Sequence, residues 1–67
     1  MNGGRIMTFM KTRRKEIGLK QEEIAKSLGT TQANVSMWET GAAKPRADKL
    51  PALAKLLHCT VDQLLED

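Results

Sequence analysis

Cysteine is almost missing from this 67-residue sequence, with Cys59 standing alone. A single thiol excludes an internal disulfide framework and any cysteine-built zinc cage. Histidine is as scarce: His58 is the only one. Two adjacent ligands without a third do not hold zinc, and no Ser/His/Asp or Cys/His set assembles around one imidazole. Neither catalysis nor a metal or other cofactor is expected. Aromatics amount to Phe9 and Trp38, too few for a single-strand or RNA reader built on stacking rings. Apolar runs such as Leu56-Leu57 fall far short of the ~20 residues that cross a bilayer, so no membrane role is expected. No signal-peptide apolar run follows Met1, which makes the cytoplasm the expected compartment.

What remains is a small basic chain. Its length allows one domain at most, burying about 60% of the unfolded chain's surface. Eleven Lys/Arg against eight Asp/Glu give a net charge of +3, a mild pointer to nucleic acid. The distribution is sharper than the sum. Arg5, Lys11, Arg13, Arg14, Lys15 and Lys20 face Glu16 alone in the first 20 residues.

Hydrophobic spacing divides the chain into helices. Residues 1–5, with two glycines and no apolar period, read as a flexible lead; residues 6–66 read as the domain. Ile6, Phe9, Met10 and Ile17 give the first helix one apolar face, and Gly18 stops it. Gln21–Leu28 forms a second, with Glu22 and Glu23 suited to the positive end of its dipole. Gly29 ends that helix, Thr30-Thr31 caps a third running to Thr40, and Gly41 closes it. A fourth starts from about Asp48, with Leu50, Leu53, Ala54 and Leu57 on one side and Pro51 in its first turn. Thr60–Gln63 has the spacing of a capping box and opens a fifth. No stretch alternates long enough to be a strand, so the class is all-α, a compact five-helix domain.

The informative piece is the second helix, its three-residue turn and the third. Two short helices joined that tightly cross steeply, as in a helix-turn-helix. With Gln32 at 0° and about 100° per residue, Val35 and Trp38 fall near 300° and 240°, a buried stripe. Ser36, Thr40, Ala33 and Met37 lie opposite, at about 40° to 140°. An ordinary solvent face carries Lys and Glu. This one carries small neutral groups that can approach base edges, where Gln suits adenine and Ala or Met a thymine methyl.

Gly18-Leu19-Lys20-Gln21-Glu22-Glu23-Ile24-Ala25, then Leu28-Gly29-Thr30-Thr31-Gln32, then Val35-Ser36-Met37-Trp38-Glu39-Thr40-Gly41 resemble the Cro/phage-repressor (XRE) helix-turn-helix family. Lys44-Pro45, Leu53–Leu57 and Val61–Leu65 are similar to its closing helices. The resemblance spans about residues 6–66 and implies a lambda-repressor-like fold. It also implies a transcriptional regulator, usually a repressor, with double-stranded operator DNA as partner and a homodimer as the usual assembly. By position it puts Gln32, Ala33, Ser36 and Met37 on bases. It puts Gln21, Thr31, Thr40, Lys44 and Arg14 on the phosphate backbone, and sends Arg46 towards the minor groove. Arg14 is further implied to pair with Glu39, bracing the first helix against the third.

The sequence departs from the family pattern in four places. Lys20 replaces a Ser or Thr cap, Arg13 an apolar residue, His58-Cys59 a glycine-containing turn, and Gln63 an apolar residue used by some relatives at the dimer contact. Because the third helix carries no Lys or Arg, a protein-interaction adaptor or antitoxin-type module with the same fold is the alternative reading.

Overall fold

Helices start and stop in this chain where side-chain caps or backbone turns satisfy their free backbone groups. The computed structural model describes residues 8–65; the expected lead over 1–5 and the contribution of Ile6 lie outside them. In order come α1 (Thr8–Ile17), α2 (Gln21–Leu28), α3 (Gln32–Thr40), a single 3-10 turn (Ala47–Lys49), α4 (Leu50–Leu56) and α5 (Val61–Leu65). No strand occurs among the described residues.

Three helices end in the same way. The Leu19 N–H bonds the Arg14 carbonyl at 3.0 Å, Thr30 that of Ala25 at 2.8 Å, and Cys59 that of Ala54 at 3.0 Å. Each closes a Schellman loop whose preceding residue must be left-handed. Gly18 and Gly29 fill two of these positions, with φ of +88° and +69°. The third is His58, at φ +54°. A side chain there is strained where glycine is not. Replacement by glycine, His58→Gly, is therefore expected to stabilise the domain by about 0.5–1 kcal/mol. Thermal unfolding should register that as a rise of a few degrees. A fall would mean that the imidazole contributes more than its backbone strain costs.

The starts are equally specific. At α5 the box is complete: Gln63 N–H to Thr60 Oγ1 is 3.1 Å and Thr60 N–H to Gln63 Oε1 is 3.0 Å. At α2, Lys20 has no acceptor to offer, but Glu23 reaches back to the Lys20 N–H at 2.7 Å, making half a box. The fourth helix differs from expectation. Its α-helical part begins at Leu50, not near Asp48, and the residues before it wind as a 3-10 turn. Pro51 is the reason: without an N–H it makes no bond to the carbonyl four residues back. Shorter i to i+3 bonds take over, as from Lys49 N–H to the Arg46 carbonyl at 2.9 Å.

Met10, Ile24, Val35, Leu53, Leu57 and Leu64 form the sealed centre, with Trp38, Ala25 and Ala54 around it. They come from all five helices. Around them α2 packs on α3 and α4, α1 on α3 and α5, and α4 on α5. The consequence for the surface is that α3 buries one stripe and leaves the opposite side open.

Candidate nucleic-acid interface

The open side of α3 is set by its turn. Thr31 is extended (φ −107°, ψ 158°) and its hydroxyl oxygen accepts the Asn34 N–H at 3.1 Å. The Asn34 amide in turn donates to Thr30 Oγ1 at 2.7 Å, so this side chain is spent inside the turn. Val35, Trp38 and Glu39 are buried. Gln32, Ala33, Met37 and Thr40 are exposed and Ser36 half-exposed. The four side chains expected at base edges thus share one surface. Thr31 stands at its leading edge, keeping its hydroxyl hydrogen free to donate.

Behind this surface lies a buried carboxylate. Glu39 is 5% exposed and accepts three hydrogen bonds: Arg14 Nε at 2.6 Å, Arg14 Nη2 at 3.2 Å and Gln21 Nε2 at 2.9 Å. The guanidinium meets it as a fork, the stronger geometry for such a pair. Arg14 Nη1 also donates to the Leu19 carbonyl at 3.0 Å. All three of its side-chain nitrogens are committed within the domain, which ties α1, the α1–α2 turn and α3 together.

The chain of bonds continues outwards. A carboxylate only accepts, so the Gln21 amide must turn its NH2 to Glu39 and its oxygen away. That oxygen accepts from Gln32 Nε2 at 3.3 Å. Gln32, itself exposed, is left with its own oxygen and one N–H to offer. At the same corner lies the N-terminus of α2, the positive end of the helix dipole, which favours anions.

The remaining expected backbone residues are more scattered. Thr40 Oγ1 donates to the Met37 carbonyl at 3.2 Å. Lys44 is exposed on the loop after α3. Arg46 lies 3.7 Å from Asp48, with both side chains largely exposed, a loose pair of little energetic weight.

Two basic side chains hold the scaffold in ways that sequence reasoning missed. Arg13 Nε donates to the Leu57 carbonyl at 2.9 Å and Nη2 to that of His58 at 3.4 Å. Lys49 Nζ donates to the Leu28 carbonyl at 2.9 Å. Both put a cation on a helix C-terminus. The signal was present only in part: Arg13 breaks the apolar pattern of its family position, but its partners lie 44 and 45 residues away. Burial pushes the Cys59 thiol above its ordinary value, with the nearby Arg13 pulling the other way. A thiol so placed is a poor nucleophile. Among the described residues no group of three His, Cys, Asp or Glu is placed to hold a metal ion, and no helix is long and apolar enough to cross a membrane.

This geometry has close counterparts. A helix-turn-helix family model matches residues 10–64. Repressor protein C2 of Salmonella phage P22 is 33% identical over 57 residues, 85% of this chain and 26% of that protein. The HTH-type transcriptional regulator DicA of Escherichia coli (strain K12) is 38% identical over 53 residues, 79% of this chain and 39% of that one. The chain therefore spans between about a quarter and two-fifths of the length of these curated relatives. The crystal structure of the P22 c2 repressor in complex with synthetic operator 9T, in the presence of Tl+, is similar with a TM-score of 0.85 and 32% identity. That likeness covers 92% of this chain and 96% of the other. From the match of the family model along most of its length, the chain belongs to the Cro/phage-repressor (XRE) helix-turn-helix family.

Proposed function

We propose that this domain is a sequence-specific double-stranded DNA-binding transcriptional regulator, acting as a repressor in the cytoplasm by binding and not by catalysis. The observation that carries the proposal is the neutral open face of α3, backed by the Glu39–Gln21–Gln32 chain of hydrogen bonds. It is supported by likeness to a repressor solved on its operator. In this reading α3 enters the major groove, where Gln32, Ala33, Ser36 and Met37 meet base edges. Gln21, Thr31, Thr40 and Lys44 hold phosphates and set the register. Arg46, released from Asp48 at low cost, reaches towards the minor groove. The two free N–H groups of Arg14 face the same backbone, secondary to its brace on Glu39.

One domain reads only a few base pairs, so two copies on a pseudo-palindrome supply the affinity, with half-sites about 10 bp apart or a multiple of that. Selection of bound duplexes from a random pool tests binding, half-site sequence and spacing together. Enrichment of paired half-sites at that spacing is the expected outcome. Failure to retain any duplex at ~50 mM salt, where backbone contacts alone give measurable binding, would overturn the proposal. The adaptor or antitoxin-type reading would then take its place.

A further inference from the structure

The open face of α3 divides by chemistry as well as by position. Of the four side chains placed on bases, Gln32 and Ser36 exchange hydrogen bonds, whereas Ala33 and Met37 do not offer a strong one. Ala33 and Met37 stand four residues apart, so they are neighbours on one side of the helix. Both are exposed, Met37 to 36%, which leaves an apolar strip open to solvent. The polar groups beside it are spent within the domain. The Asn34 amide donates to Thr30 Oγ1 at 2.7 Å and the Thr40 hydroxyl to the Met37 carbonyl at 3.2 Å. No charged residue stands between Gln32 and Met37. A thioether accepts hydrogen bonds only weakly and a methyl group not at all. A base edge lying against this strip is therefore sensed through its carbon and not through its polar atoms.

We propose that Met37, with Ala33 beside it, recognises the C5-methyl group of a pyrimidine and not the identity of that pyrimidine. The domain then takes duplex DNA carrying 5-methylcytosine where its own site carries thymine. The inference rests on the DNA-binding reading above and names the chemistry of one base in it. In the major groove thymine shows a methyl group beside the O4 acceptor, whereas cytosine shows an N4 donor and no methyl. Methylated cytosine keeps the donor and gains the methyl where thymine has it. Telling those two bases apart takes a hydrogen-bonding group, and the strip has no strong one. Gln32 sits about 7.5 Å away along α3, roughly two base steps of ~3.4 Å. The adenine it prefers therefore belongs to a different base pair. Methylation of one cytosine turns a weakly held duplex into one held like the thymine site.

The test is binding of the full chain to its selected duplex with single bases exchanged. Uracil in place of each thymine in turn removes one methyl group and leaves the pairing edge unchanged. At one position of a half-site this should weaken binding about 4-fold, the worth of one buried methyl group. The loss should be absent in Met37→Ala, which withdraws the side chain. It should be absent too in Met37→Gln, which keeps the length but puts an amide where the thioether was. At the same position 5-methylcytosine should bind as tightly as thymine, and cytosine about 4-fold more weakly. Neither variant should prefer the methylated base. Met37 lies on the surface, so both variants should keep the wild-type circular dichroism. Uracil that costs nothing at every thymine overturns the proposal and leaves DNA binding intact. A uracil penalty that survives in both variants does the same, because it puts the methyl on another side chain. So does 5-methylcytosine that binds no better than cytosine. If the wild type retains no duplex at ~50 mM salt, both readings fall together.

Discussion

Truncating the guanidinium, Arg14→Ala, should cost the domain about 3–5 kcal/mol, the usual loss when one partner of a buried ion pair is removed. The size follows from what is left behind. The Glu39 side chain is 2% exposed, and it would keep a single hydrogen bond from Gln21 where it now has three. A chain of this length is stable by roughly 3–10 kcal/mol in all. The variant should therefore be largely unfolded at ambient temperature, or melt far below the wild type.

The converse change should hurt less. In Glu39→Gln the orphan is Arg14, whose side chain is 11% exposed and long enough to swing its charge into water. Combining the two tests the cause. If an uncompensated carboxylate is what unfolds Arg14→Ala, then adding Glu39→Gln should recover part of the loss. Arg14→Lys should fall between, because an ammonium cannot present a fork to two oxygens. Urea unfolding monitored by circular dichroism reads all four. A loss below about 1 kcal/mol in Arg14→Ala would show that Glu39 reaches solvent by a local opening, and the brace would then be no brace.

The contrast between Arg14 and Arg13 shows how far the sequence speaks. Local features were legible. Gly18, Gly29 and the Thr60–Gln63 spacing mark helix ends through chemistry contained within a few residues, and the structure places them where their chemistry requires. The rotation of α3 was legible too, since Val35 and Trp38 fix a stripe by periodicity alone. What could not be read was any contact between distant segments that lacks a pattern of its own. Arg13 on the α4 carbonyls and Lys49 on the Leu28 carbonyl bond to backbone, which every residue offers equally. Nothing in the partner's identity announces them. The same holds for α1, where packing sends the neighbouring side chains of Arg13 and Arg14 to different destinations, one to the end of α4 and one to Glu39. The 3-10 turn before α4 sits between these cases, since Pro51 announced a helix start but not how tightly the turn before it winds.

The second large effect belongs to Gln32. Its removal, Gln32→Ala, should weaken binding to the selected duplex by about 1–3 kcal/mol, or roughly 5- to 150-fold, and leave a scrambled duplex nearly unaffected. The hydrogen-bond chain predicts which base is lost. Glu39 accepts only, so Gln21 must present oxygen to Gln32, and Gln32 must present an acceptor and a donor outwards. That pair matches the N6 and N7 edge of adenine. Preference for adenine at one position of each half-site should vanish in the variant. Gln21 should matter to the same preference without touching a base, by holding the amide of Gln32 in that orientation through their 3.3 Å bond. A double-mutant cycle on Gln21→Ala and Gln32→Ala should give a coupling of about 0.5–3 kcal/mol on the selected duplex. On the scrambled duplex, where only the phosphate contact proposed for Gln21 would count, the coupling should be near zero. Equal losses by Gln32→Ala on both duplexes would remove this residue from base recognition. Additive losses on the selected duplex would leave it a reader of bases, but one that needs no help from Gln21 to hold its orientation.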